Sequence, residues 1–179
     1  ITIDILPILD PSVFISTNST DICAGTMASF GATPINGGPS PTYEWFINGL
    51  STGVNGNVFT SSGFNNGDAI VCTITSDYIC PTQPTATSAP ITITVFQNPT
   101  PSCTASRLYL GAFTEFNANA SGGTGPYTYD WVMGDGGIDT GATAQHYYGS
   151  TGTYNVTVTV TDSNGCIGTC IQSIEIVLA

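Results

Sequence analysis

The chain has 179 residues, 41% of them hydrophobic, with 21 Gly and 11 Pro, a length that fits one large or two small domains. Arg107 is the only Lys or Arg against 12 acids, and the formal net charge is −11. That balance excludes nucleic acid, whose phosphates need clustered cations. It also disfavours an anionic membrane surface and rules out a fold held together by ion pairs.

Period-two alternation runs through the sequence and no segment sustains helical periodicity, so the fold class is all-β. The first element is Ile1-Thr2-Ile3-Asp4-Ile5-Leu6, followed by a connector containing Pro7 and Pro11. Its pattern returns at Ile91–Val95 and again at Ser173–Leu178, where it reads as the closing strand of a domain. In the first body, "GTMASFGA" predicts a strand with Ala28, Phe30 and Ala32 on its inner face. "TYEWFING" predicts a strand centred on Trp45, and "GDAIVCTIT" one with Ile70 and Cys72 inward. In the second body "YTYDW" and "GTYNVTVTV" take the corresponding places, with Tyr154, Val156, Val158 and Val160 on one face. Turn clusters such as NGGPSP, NNGD, SGGTGP and GDGG punctuate these runs.

Short strands at this spacing predict two tandem immunoglobulin-like β-sandwiches with an extra strand in front. The expected boundaries are 1–11 for a donor-type strand and linker, 12–96 for the first sandwich and 97–179 for the second. Ala32 stands where an immunoglobulin strand B usually carries Cys, so the usual inter-sheet disulfide is not expected in the first body. There is no apolar run of membrane-spanning length and no signal-peptide pattern, and the chain reads as mature, processed or excerpted, not membrane-embedded.

The stretch "SGGTGPYTYDWVMGDGG", followed by "AQHYYGSTGTYNVTVTVTDSNGC", resembles a PKD domain. The family's Trp-x-x-Gly-Asp-Gly turn is matched by Trp131, Gly134, Asp135 and Gly136. Its His-x-Tyr is matched by His146 and Tyr148, and its Gly-x-Tyr-x-Val-x-Val strand by Gly152, Tyr154, Val156 and Val158. Val132 and Met133 depart from the usual polar-aromatic pair. The first half, through "DICAGTMASFGATPINGGPSPTYEWFING" and "GDAIVCTITS", is similar to the Ig-like repeats of bacterial surface proteins that carry PKD domains. The resemblance implies a structural or binding role with no reaction. The expected function is a structural subunit of an extracellular bacterial fibre, its domains joined head to tail with copies of itself. The alternative is an adhesin or carbohydrate-binding module of a large surface protein, binding surface glycans or environmental ligands; an accessory domain of a secreted hydrolase comes third.

The candidate residues follow. Ile1, Ile3, Ile5, Leu6, Ile8 and Leu9 form an apolar face that must be hidden from water, and a neighbouring copy is the expected cover. With no Lys in the chain, subunits cannot join through a Lys isopeptide bond. The six Cys suit an oxidising compartment. Cys103 and Cys170, near the first and last strands of their body, are expected to pair. Cys23 and Cys72 are expected to meet near one end of the first body, which leaves Cys80 and Cys166 free or bonded between domains. Asn18, Asn119 and Asn155 head sequons. No catalytic residues or required cofactor are expected: His146 has no Gly-x-Ser-x-Gly elbow, and Glu44, Glu115 and Glu175 are isolated on strand faces. Asp135, Asp139 and Asp162 could supply oxygens to calcium, yet "GDGGID" lacks the Asp-x-Asp-x-Asp spacing and suits turn chemistry better. Tyr43, Trp45, Tyr127, Tyr129 and Trp131 alternate with polar residues and are expected in the core, while Phe46 points the other way.

Overall fold

The computed structural model describes residues 9–78 and 81–179, and these form two compact units that divide between Val95 and Phe96. The first unit runs β1 (Ser12–Thr17), β2 (Asp21–Cys23), β3 (Ala28–Ile35), β4 (Thr42–Ile47), β5 (Leu50–Ser51), β6 (Val58–Ser61), β7 (Ala69–Thr75), β8 (Thr85–Thr87), β9 (Ile91–Thr92) and β10 (Thr94–Phe96). The second runs β11 (Thr100–Ser106), β12 (Phe113–Ser121), β13 (Thr128–Val132), β14 (Ile138–Thr140), β15 (Thr143–Tyr147), β16 (Gly152–Thr161) and β17 (Ile167–Ile176). There is no helix among the described residues.

In the first unit one sheet has the order β1–β3–β6. The other has β5–β4–β7–β8, with β9 also pairing β7, and β2 pairs β10 separately. Alternation aims Ala28 and Phe30 of β3, Trp45 of β4, and Ile70, Cys72 and Ile74 of β7 into one core, each fully buried. The Phe30 ring lies 6.4 Å from Trp45, 6.0 Å from Phe59 and 5.7 Å from Phe64. The β4–β5 hairpin turns through Asn48 and Gly49, at φ 51° and 80°. Positive φ at both central residues is the turn that matches strand twist, and Asn-Gly is the pair that tolerates it. The closing run Ile91–Val95 is not one strand. It breaks at Ile93, which is buried and exchanges backbone hydrogen bonds with Gly67 and Asp68, so the chain leaves β7 and joins β2.

The second unit packs β11–β12–β15 against β14–β13–β16–β17. Its core repeats the first: Phe116 of β12 lies 5.5 Å from Trp131 of β13, and Val158 of β16 sits opposite that tryptophan. The closing strand starts earlier than the run Ser173–Leu178 indicates. It spans Ile167–Ile176, and Val177 then bridges in parallel to Tyr109. Ile167 and Ile171 face outward on it, which breaks the apolar alternation that marked its second half.

Cys103 of β11 and Cys170 of β17 form a disulfide with a Cα–Cα distance of 6.0 Å. The expected Cys23–Cys72 bond is absent. Cys72 is a free, buried thiol opposite Trp45, in the register position that Val158 fills opposite Trp131, and it packs there as a small hydrophobe. Burial pushes its pKa up to about 11, so it is a neutral thiol at physiological pH. Cys23, at the end of β2, is engaged in a different disulfide, and Cys166 is also disulfide-bonded. Cys80 lies outside the described residues.

Removing the ring at the centre of the first core tests this arrangement. Phe30→Ala is expected to destabilise the first unit by about 3–5 kcal/mol through lost burial and a residual cavity. In urea unfolding followed by tryptophan fluorescence, the transition of the first unit should shift and that of the second should stay in place.

Candidate functional site

The Gly-Asp-Gly turn follows β13. Gly134 has φ +86°, and a Cβ there would come within 2.7 Å of the Asn155 carbonyl oxygen, so only glycine fits. A Cβ on Gly137 would collide with the His146 ring. Between these glycines the Asp135 carboxylate accepts from the Gly137 amide at 2.9 Å and pairs with His146 Nε2 at 2.7 Å. The His146 ring stands edge-on to Tyr148 at 4.6 Å, and Tyr148 lies 4.3 Å from Tyr154. The Tyr148 hydroxyl donates to the Met133 carbonyl at 2.8 Å. Burial raises the Asp135 carboxyl, but the His146 hydrogen bond, the Gly137 amide and the imidazole charge outweigh it and hold it below the ordinary 3.8. Burial first, then the neighbouring Asp135 and Tyr154, push the Tyr148 phenol well up. This constellation fastens the β13–β14 turn to β15 and β16. Ser150, the nearby hydroxyl, pairs with Tyr154 at 3.0 Å.

The other acids considered for calcium also face backbone amides. Asp139 accepts from Thr140 at 2.8 Å and Gln145 at 3.3 Å. Asp162 is 5% exposed and accepts from Thr124, Asn164 and Cys166, each at 2.9 Å, tying the Gly122–Thr124 loop to its own turn. Burial raises the Asp162 carboxyl, and these amides together bring it below 3.8. Among the described residues no group of three or more His, Cys, Asp or Glu is placed to hold a metal ion.

Of the expected assembly residues, Ile1, Ile3, Ile5, Leu6 and Ile8 lie outside the described residues, and Leu9 is exposed. Asn18, Asn119 and Asn155 are exposed. Asn18 nevertheless accepts from the Ser29 amide at 3.1 Å. Phe46 is half-buried. Tyr43, Tyr127 and Tyr129 pack against the cores as partly buried rings, and Glu44 accepts from Ser51 at 2.9 Å. Arg107 lies 3.5 Å from Glu115.

Sequence reasoning missed the outer face of β11–β12–β15. Phe113 and Tyr147, directly opposite each other on β12 and β15, are both solvent-exposed. Beyond them two clefts of about 460 and 340 Å³ share Asn117 and Thr143. The signal was present: Phe113 and Phe116 are three residues apart on one strand, and Tyr147 adjoins Tyr148, so each pair must split between faces.

Residues 97–177 match the family model of the PKD domain, and the second unit is a PKD domain. Over 49 residues the chain is 47% identical to collagenase ColA of Clostridium perfringens, a match covering 27% of this chain and 4% of the collagenase. It is similar to the PKD1 domain of Vibrio anguillarum Epp, at 21% identity over 47% of this chain and 99% of that one, with a TM-score of 0.43. It is also similar to the N-terminal eight Ig domains of the Down syndrome cell adhesion molecule, at 11% identity over 90% of this chain and 27% of that one, with a TM-score of 0.53. The fold is that of tandem Ig-like sandwiches. No helix among the described residues is long and apolar enough to cross a membrane.

Asp162→Asn tests the amide cradle. A carboxyl held below 3.8 in the folded state contributes stability that is fully present above that value and is lost as pH falls through the lower folded value. The variant is therefore expected to be less stable than the parent at neutral pH, with the difference closing in acid below pH 3.8. Urea unfolding across that range measures it.

Proposed function

We propose that the chain is a load-bearing structural module of an extracellular bacterial fibre, its domains joined head to tail and its opening segment packed on a neighbouring copy. The observation that carries this reading is the Cys103–Cys170 disulfide, which bonds the first strand of the second unit to its last. In a domain pulled through its ends, tension enters at β11 and leaves at β17. A covalent link between these strands passes the load across, so the residues between them, a sequence separation of 67, are not extended. Disulfides suit an oxidising, extracellular setting, and a surface of net charge −11 stays solvated.

The opening segment fits the same reading. The first unit takes its closing strands, β9 and β10, from its own chain, and its β1 begins at Ser12. The pattern Ile1-Thr2-Ile3-Asp4-Ile5 repeats the apolar alternation of the closing run, and a sheet edge of a second copy would satisfy both its backbone groups and its isoleucine face.

Two measurements test the proposal. Deleting residues 1–9 is expected to leave both units folded by their urea transitions while filaments seen by electron microscopy disappear; unchanged filaments would sink the assembly claim. In single-molecule pulling, the oxidised second unit should release little length. Reduction should add roughly 230 Å of contour, taking ~3.4 Å for each residue of the 67-residue separation. Equal extension in both states contradicts the load-bearing role.

A further inference from the structure

The outer face of β11–β12–β15 combines two features that a solvated sheet face does not need. The first is a pair of exposed aromatic rings. Phe113 is 58% exposed and Tyr147 50% exposed, with centroids 5.9 Å apart and planes at 63°. The second is a set of hydrogen-bonding side chains in register behind them, uncharged except for Glu115. Glu115 faces Gln145 in the next outward row, and Asn117 faces Thr143 in the one after. On the other side Thr104 adjoins Asn117, and Ser102 adjoins Asn119. Outward rows on a strand are about 6.8 Å apart, so the aromatic pair and the Asn117 row together span the length of a short oligosaccharide. The larger cleft is lined by Glu115 and Gln145 of the intermediate row and by Asn117 and Thr143, which also line the smaller cleft beyond.

We propose that this face is a binding site for a neutral oligosaccharide, with Phe113 and Tyr147 as its stacking platform and Gln145, Asn117 and Thr143, from the two rows behind, as its hydroxyl-reading side chains. An aromatic face stacks on the apolar C–H face of a pyranose, while amides and hydroxyls exchange hydrogen bonds with its equatorial oxygens. Both aromatic side chains are held by paired strands, so little side-chain entropy is lost on binding. The charge pattern sets the class of sugar. Glu115 and Asp139 line the larger cleft, and the one cation, Arg107, is already paired with Glu115. Uronates and sulfated or sialylated glycans would meet these carboxylates and the net charge of −11. The opposite outer face provides an internal contrast. Val132, Ile138 and Ile171 are also exposed there and lie in one cross-sheet row through Thr157, but a β-branched row offers no ring to stack on.

The site stands apart from the fibre reading and is tested without it. The full chain is titrated by calorimetry and by NMR with maltotetraose, cellotetraose, xylotetraose, mannotetraose and chitotetraose, with tetragalacturonic acid as the anionic probe. At least one neutral tetrasaccharide is expected to bind at about millimolar affinity or tighter, and its amide shifts should fall on β12 and β15. Phe113→Thr with Tyr147→Thr, which keeps strand propensity, is expected to weaken that binding about tenfold or more at an unchanged melting temperature. Ile171→Ala should leave it unaltered. Failure of every neutral probe, shifts confined to other strands, full affinity in the double variant, or equal binding of tetragalacturonic acid would each overturn the proposal.

Discussion

Each unit hangs on one buried tryptophan whose indole N–H is tied to a glycine carbonyl. Trp45 donates to Gly56 at 2.8 Å and Trp131 to Gly141 at 2.9 Å. A tryptophan this deep must place its one donor, and the carbonyl that accepts it lies on the segment following the next short strand. The bond therefore fixes that segment while the ring fixes the sheets. Phe30 and Phe116 press on the two rings from the opposing sheet, and Ala32 and Ala118 follow two residues later, each 8% exposed. Phenylalanine and alanine thus occupy the space that a disulfide crosses in many immunoglobulin domains, and Cys72 and Val158 serve as equivalent apolar neighbours.

Because cations are nearly absent, acidic side chains are stabilised by the backbone. Asp162 and Asp135 cap their turns through amides. Asp68, 6% exposed, accepts from Asn48 at 2.7 Å and from the Asn65 amide at 2.8 Å. Asp10 takes the Thr82 hydroxyl at 2.6 Å and the amides of Thr82 and Gln83, and the hydroxyl above all holds its carboxyl below the ordinary value. An amide stabilises a carboxylate with a fixed dipole that neither titrates nor competes for solvent as a long cationic side chain does. The surface charge is thereby kept while the turns are made rigid.

The strands carrying regular alternation were legible in the sequence. Ala28 and Phe30, Trp45, Ile70 and Cys72, and the Val156–Val160 series all face inward as their spacing requires. Two kinds of feature were not. Ile91–Val95 hides a break because Ile93 fits a continuous strand by pattern and is diverted only by hydrogen bonds to residues far away in sequence. The Cys23–Cys72 pairing failed for a related reason: one strand's alternation places Cys72 in the core, yet no local signal gives the partner's position. The aromatic platform escaped because Phe113 and Tyr147 each lie within three residues of a core aromatic, and a count of aromatics does not separate the two faces.

The position of Arg107 relative to the clamped strands bears on survival among proteases. It supplies the only Lys or Arg side chain in these residues, so a trypsin-like enzyme has one bond to attack. That bond lies between Cys103 and Cys170 in sequence. Cleavage would leave one half-cystine on each fragment, and the nicked chain would remain a single covalent piece until the disulfide was reduced.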